Sequence, residues 1–127
     1  MKAARLWTWH MAAGVVLFFV LGLHMGIMHL GEIGHWFAPY GNLAVSIANS
    51  RFRDGMLTFT VGYIALLAIG LFHGLYGLRT MLLELTLRPA MEKAITVFLL
   101  ILGIGLVGLG TWAAVAAHGV ALAGVKG

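Results

Sequence analysis

The sequence contains no cysteine, little proline and few charged residues. Pro occurs only twice in 127 residues, and Asp, Glu, Lys and Arg together make up 9% of the chain. The absence of Cys excludes disulfides, thiolate catalysis and Cys-ligated iron–sulfur or zinc sites. The low charge excludes an ordinary soluble domain, in which roughly 25% of the residues are charged.

Apolar residues and glycine take the place of the missing charge. The apolar residues amount to 61% of the chain, and 18 residues are Gly. A soluble domain this short cannot bury so much apolar surface. Abundant Gly without abundant Pro is typical of closely packed membrane helices. The composition therefore predicts an all-α membrane protein, with residues 1–127 forming a single transmembrane domain.

Three stretches of the chain contain no Asp, Glu, Lys or Arg, namely residues 6–31, 55–78 and 94–125. Each exceeds the roughly 20 residues that a helix needs to cross a bilayer core. We therefore predict three transmembrane helices, near residues 7–30, 56–86 and 94–118. The second helix is expected to project past the membrane and end at Arg88-Pro89, because the residue before proline is disfavoured in a helix. Its neighbour, the connection 31–55, contains aromatic residues that suit an interfacial belt or a short surface helix.

The basic residues are unequally divided between the two ends of the predicted helices. Five lie at one end (Lys2, Arg5, Arg79, Arg88 and Lys93) and three at the other (Arg51, Arg53 and Lys126). Cytoplasmic loops carry the excess of Lys and Arg in membrane proteins. This distribution predicts a cytoplasmic N-terminus, in a multi-pass protein of the cytoplasmic (inner) membrane.

Histidines at membrane depth are the most informative polar residues, because ionisable groups there are costly unless they serve a function. His73 lies about 9 Å along the helix from Arg79, within the hydrocarbon. Gly77 shares its helical face, and Gly70 and Gly74 lie close to that face. The space left by these glycines suits either a flat macrocycle, whose iron a neutral imidazole binds well, or a closely packed neighbouring helix. Arg79 would then lie near the aqueous edge, where a haem propionate needs a cation.

His24 is the second candidate, in the outer half of the first helix between Gly22 and Gly26. Its depth differs from that of His73, so the two are not expected to hold one iron between them. The remaining histidines lie near span ends or in the loop, where they need no special role; His10 is among them, at the inner interface beside two tryptophans. The full set is His10, His29, His35 and His118.

The second span resembles a known family. Its run His73-Gly-Leu-Tyr-Gly77-Leu-Arg79, followed by an acid at Glu84, is similar to the His-x-x-x-Gly-x-Arg pattern of the membrane-anchor subunits of succinate dehydrogenase and fumarate reductase (succinate:quinone oxidoreductases). Similarities in the first span are Gly14, Gly22-Leu-His24 and Ile27-Met28-His29. The resemblance covers most of residues 7–90 and is weak over the third span.

This resemblance implies the fold of a small three-helix anchor and a set of binding residues. His73 matches the axial ligand of haem b, and Gly77 and Arg79 match its companions. His24 could serve as the ligand of a second haem, because some members carry two. The implied partners are a flavoprotein subunit, an iron–sulfur subunit and a second membrane-anchor subunit, with quinone as the substrate. The chain would be a non-catalytic subunit that takes part in respiratory electron transport.

Two positions depart from the family pattern. The Arg-x-Ser-Gly of the family's first helix, which is associated with quinone, is replaced by Met11-Ala12-Ala13-Gly14, and the Tyr that often follows the acid is replaced by Leu85. Either a companion subunit would then form most of the quinone site, or the site is altered in this chain. Two other functions stay open: a cytochrome b subunit of another respiratory enzyme, such as a hydrogenase or formate dehydrogenase, and a haem-free packing or assembly subunit.

Overall fold

The computed structural model describes residues 2–29, 46–85 and 87–125, and within these ranges the chain is helical with no strand. The helices are α1 (Lys2–His29), α2 (Ile47–Asp54), α3 (Leu57–Leu83) and α4 (Pro89–Val125). Three of them, α1, α3 and α4, are apolar and long enough to cross a membrane. The prediction of an all-α protein with three transmembrane helices is therefore confirmed.

The helix ends differ from the predicted ones. The second long helix ends at Leu83, and the main-chain N–H of Glu84 turns back to the oxygens of Met81 and Leu82; the predicted continuation to 86 and closure at Arg88-Pro89 were wrong. Pro89 instead begins α4, at a position where a missing N–H costs no hydrogen bond. That helix runs past the predicted end at residue 118 because residues 119–125 contain neither Pro nor a charge.

The three long helices form a row in which α3 lies between α1 and α4. Neighbours run antiparallel: along the α1–α3 contact Gly14 lies beside His73 and Leu17 beside Gly70. The helices α3 and α4 are also antiparallel, because residue numbers fall along α3 as they rise along α4. The contacting pairs are Arg79–Thr96, Leu75–Gly103 and Leu67–Gly110. No described residue of α1 has its Cα within 8 Å of one in α4. The row is therefore not closed into a bundle.

Two of the four glycines of the third span bring α4 close to α3. A Cβ placed on Gly103 would lie 2.9 Å from Cδ1 of Leu75, and one on Gly110 would overlap Cδ2 of Leu67. For Gly105 and Gly108, a Cβ would meet no described atom within 4 Å. The close helix approach predicted for this span is thus made by the pair spaced seven residues apart, which share one helical face.

The row leaves almost all of its apolar surface uncovered. Among the described residues, Leu99 and Ala121 are the buried hydrophobic side chains, whereas Phe18 and Phe19 are 75% and 67% exposed. Such a surface is costly in water and favourable in a bilayer, where the neighbouring hydrocarbon is as apolar as the side chains.

The short helix α2 packs against one end of the row. Its first turn is capped by Ser46, whose side chain accepts a hydrogen bond from the Asn49 N–H. Nδ1 of His118 in α4 donates to the main-chain oxygen of Asp54, at 2.6 Å, and Asn49 and Arg53 are buried. The short helix predicted within 31–55 is therefore present at 47–54. It packs against α4 instead of lying on the surface alone. Residues 30–45, with the aromatic belt and His35, lie outside the described residues.

The row has two ends, which we call the histidine end and the α2 end. The histidine end contains the start of α1, the end of α3 and the start of α4, and the α2 end contains α2 and the end of α4. Four of the basic residues predicted to be cytoplasmic, Arg5, Arg79, Arg88 and Lys93, belong to the histidine end. Arg51 and Arg53 belong to the α2 end.

Candidate functional site

The rings of His10 and His73 are stacked between α1 and α3 at the histidine end. Their centroids are 4.2 Å apart and their planes are 9° from parallel. The sequence indicates an interfacial position for His10. In the structure its ring lies at the depth of His73. Both rings are partly buried. The Tyr76 ring lies 5.1 Å from that of His10, tilted by 42°.

One nitrogen of His73 is already engaged by the main chain of α1. Nδ1 lies 3.1 Å from the main-chain oxygen of His10. Because a carbonyl oxygen only accepts, this contact requires the proton to be on Nδ1. In the neutral ring, Nε2 then carries the lone pair. Ligating histidines usually donate their second N–H to such an oxygen, which fixes the tautomer and the ring orientation.

Glycines make room for the two rings in a reciprocal manner. A Cβ on Gly14 would lie 2.8 Å from Cε1 of His73, and one on Gly77 would lie 3.3 Å from Cε1 of His10. Each helix thus presents His-x-x-x-Gly, and the histidine of one helix packs on the glycine of the other. The first of these distances is too short for any side chain to be accepted without movement. Gly14 is consequently needed for the present position of His73.

An open groove of about 490 Å³ runs beside the two rings. Its size lies within the roughly 300–1,000 Å³ of most small-molecule sites. Most of its lining is apolar or aromatic, and its polar groups are two imidazoles, two hydroxyls and one indole N–H. The lining residues are Trp7, His10, Met11, His73, Gly74, Tyr76, Gly77, Leu78, Thr80 and Met81. Such a lining suits a largely apolar ligand with a few polar atoms.

The stacked pair cannot hold one iron as two axial ligands in this arrangement. Their centroids are 4.2 Å apart in nearly parallel face contact, which leaves no space for a metal between the rings. A second axial ligand for an iron on His73 must therefore come from elsewhere than His10.

Nδ1 of His10 is buried and has no hydrogen-bond partner among the described residues. Buried polar atoms in folded proteins are nearly always paired, with protein or with ordered water. A water, or a small rotation of the ring that brings Nδ1 to the groove, would complete its hydrogen bonding.

Arg79 faces away from the groove. Its Nε donates to Oγ1 of Thr96 in α4 at 3.0 Å, and that hydroxyl donates in turn to the Glu92 oxygen at 2.8 Å. Six residues along a helix turn Arg79 about 120° from His73. The structure thus uses Arg79 to join α3 to α4 and does not bring it into contact with His73.

His24 lies far from this pair. It is ten residues beyond Gly14, about 15 Å by helical rise, and half-buried. The structure gives it neither a hydrogen bond nor a ring contact within the described ranges. A Cβ on Gly22 or Gly26 would likewise meet no described atom within 4 Å. His24 and His73 are therefore at different depths. His118 is also apart from the pair, because its Nδ1 donates to the Asp54 oxygen of α2.

His10 is the residue that sequence reasoning missed. The signal was present, because His10 and Gly14 have the same spacing as His73 and Gly77. Two His-x-x-x-Gly units on antiparallel neighbours can pack reciprocally, since residues four apart share a face.

Comparisons with protein-family models, with curated protein sequences and with solved structures found no match to this chain.

Proposed function

We propose that the chain is a membrane-anchor subunit of a succinate:quinone or fumarate:quinone oxidoreductase, with His73 as an axial ligand of haem b through Nε2. The observation that supports this function best is the state of His73. Its Nδ1 is held by a main-chain oxygen, which leaves Nε2 for a metal. The same ring lies in the wall of an open, largely apolar groove at membrane depth.

The groove offers a haem an apolar, partly aromatic wall and free space beside His73. Gly74 leaves α3 without a side chain beside His73, whereas the space over Gly77 is filled by the His10 ring. Trp7 and Tyr76 add aromatic surface. When bound, haem b supplies a one-electron carrier within the membrane. The second axial ligand would come from a partner subunit, because His10 is stacked on His73 and His24 lies at another depth. His24 is the candidate for a second haem.

The open row supports an assembly with other subunits. Since α1 and α4 each have α3 as their one long neighbour among the described helices, a second membrane-anchor subunit can pack on either side. The iron–sulfur subunit must supply its own cysteines, because this chain has none. We propose that it docks with the flavoprotein subunit at the histidine end, on the cytoplasmic side, where Arg88 and Lys93 are exposed.

A quinone would bind near the same end, close to the iron–sulfur subunit. The polar groups that the resemblance leads one to expect at Met11 and Leu85 are absent here. Within the groove, the hydrogen-bonding side chains besides His73 and Tyr76 are the imidazole of His10, the indole of Trp7 and the hydroxyl of Thr80. A companion subunit would supply the rest of the quinone site.

The proposed function is tested with membranes that contain the complex in which this chain is assembled. Succinate is added under anaerobic conditions, and b-type haem reduction is followed by absorption. We expect reduction by succinate and reoxidation by fumarate or quinone, and copurification of a flavoprotein and an iron–sulfur protein with the tagged chain. Haem reduced by formate or hydrogen but not by succinate would instead identify another respiratory enzyme. A complex without haem and without these partners would leave a packing or assembly subunit.

A further inference from the structure

We propose that His10 is the positioning residue for His73: the main-chain oxygen of His10 holds the Nδ1 edge of the ring, and the His10 side chain fixes the plane in which the ring lies. The inference rests on the proposed haem site and deepens it. It assigns a role in ligand orientation to a side chain of α1, although the ligand itself belongs to α3.

The orientation of the His73 ring is fixed by three contacts from α1. Its Nδ1 donates to the His10 oxygen at 3.1 Å, its flat face lies on the His10 ring, and its Cε1 edge lies over Gly14. A single hydrogen bond would allow the ring to rotate about the donor–acceptor line. The stack on one face removes that freedom, because a rotated ring would lose parallel contact with its neighbour.

The His10 ring is itself held from the other helix. Gly77 offers it a surface without a side chain, where an added Cβ would come within 3.3 Å of Cε1. The Tyr76 ring covers a further side at 5.1 Å. Gly77 and Tyr76 therefore confine the His10 ring on two sides, and both belong to α3, the helix that contains the proposed ligand. The two helices fix each other's histidine.

This mutual arrangement matters for a metal because partners beyond the ligands set ligand orientation. Loss of such a partner typically weakens metal affinity by about 10–100-fold. The main-chain oxygen survives every substitution at residue 10, so a variant at that position isolates the contribution of the side chain. A flat, uncharged ring at position 10 retains the stack, whereas a methyl group does not.

The test uses the full complex, purified through a tag on this chain, with His10→Ala and His10→Phe. Haem retention is measured by transfer to an excess of apomyoglobin, and the ligand geometry by the electron paramagnetic resonance spectrum of the oxidised haem. We expect His10→Ala to release haem at least tenfold more readily and to shift the low-spin signal. His10→Phe should restore both properties towards those of the wild type, because it retains the stacked ring.

A matched pair of glycine variants makes the test independent of the His10 substitutions. Gly77→Ala pushes on the His10 ring and should shift the spectrum in the same direction as His10→Ala. Gly62→Ala lies on the same helix, where a Cβ meets no described atom within 4 Å, and should leave the spectrum unchanged. If His10→Ala fails to assemble, Gly77→Ala decides the question.

The outcomes separate this inference from the proposed function. Unchanged haem retention and an unchanged spectrum in His10→Ala, or in Gly77→Ala, would overturn the positioning role while leaving His73 as a ligand. A purely structural role would lower the yield of complex without moving the spectrum of what remains, and it would overturn the inference as well. A wild-type complex without haem would overturn both the inference and the proposed function.

Discussion

Nδ1 of His73 lies 3.1 Å from the main-chain oxygen of His10, so the side chain of one transmembrane helix is bonded to the backbone of its neighbour. A helical carbonyl normally accepts from an N–H four residues on, and its second lone pair allows a further bond. This contact fixes which nitrogen of His73 carries the proton. It also ties the candidate ligand to the packing of α1 on α3.

The fit of His73 against α1 predicts a strong dependence on Gly14. Gly14→Ala places a methyl group 2.8 Å from Cε1 of His73, and such overpacking typically costs about 1–3 kcal/mol. We expect a lower thermal midpoint in detergent, together with loss of haem from the complex. Gly22→Ala on the same helix meets no described atom within 4 Å and should be neutral. Equal effects of the two variants would contradict the packing described here.

The arrangement in a row predicts which engineered cysteines can be joined. The chain has no cysteine of its own, so every cross-link reports on the introduced pair. Leu17→Cys with Gly70→Cys should be joined by a short bifunctional thiol reagent, because Leu17 Cδ2 lies 3.9 Å from a Cβ placed on Gly70. Leu17→Cys with Gly105→Cys joins α1 to α4 and should not react within one chain. Efficient intrachain cross-linking of the second pair would require a closed bundle instead.

Thr96 is predicted to matter for stability but not for haem. Thr96→Val keeps the shape of the side chain and removes the oxygen that accepts from Arg79 Nε. Hydrogen bonds to charged groups contribute about 1.5–3 kcal/mol, and we expect a loss of that order in denaturation of the purified chain. The haem band should be retained, because Arg79 faces α4 rather than the groove. Loss of haem in Thr96→Val with unchanged stability would contradict this prediction and show that Arg79 contributes to haem binding.

His118 is predicted to hold α2 against the end of α4. His118→Phe keeps an aromatic ring but removes the donor to the Asp54 oxygen, and it leaves that carbonyl without its partner from α4. Amide hydrogen exchange should accelerate in residues 47–54 and stay unchanged in α3 around His73. Exchange in α2 that does not respond to the substitution would show that the buried side chains Asn49 and Arg53 hold the helix by themselves.

The sequence predicted the number, type and approximate position of the long helices because their signal is local. Runs without charge longer than about 20 residues determine transmembrane helices almost by themselves. Helix ends are harder to predict, because one residue can favour either of two boundaries. Pro89 is an example, since a proline can end one helix or begin the next. The structure shows the second of these, after a turn at Glu84.

The candidate site was predictable only in part, because its geometry lies in contacts between helices. His73 was identified from its depth and from the glycines around it, and both properties belong to a single helix. The position of His10 depends on the register of α1 against α3, which hydropathy does not determine. Arg79 is named as a propionate partner from its depth and from the resemblance, and neither predicts its contact with Thr96, which follows from a rotation of about 120° around the helix relative to His73.

The assignment of His73 as a haem ligand is tested by a dithionite-reduced minus oxidised absorption spectrum of the purified complex, recorded for the wild type and for His73→Ala. We expect a b-type α-band in the wild type that is absent from His73→Ala, and that is retained in His24→Ala unless a second haem is bound. A band of unchanged intensity in His73→Ala would contradict the assignment of His73 as a ligand. The absence of any haem band from the wild type would contradict the cofactor site as a whole.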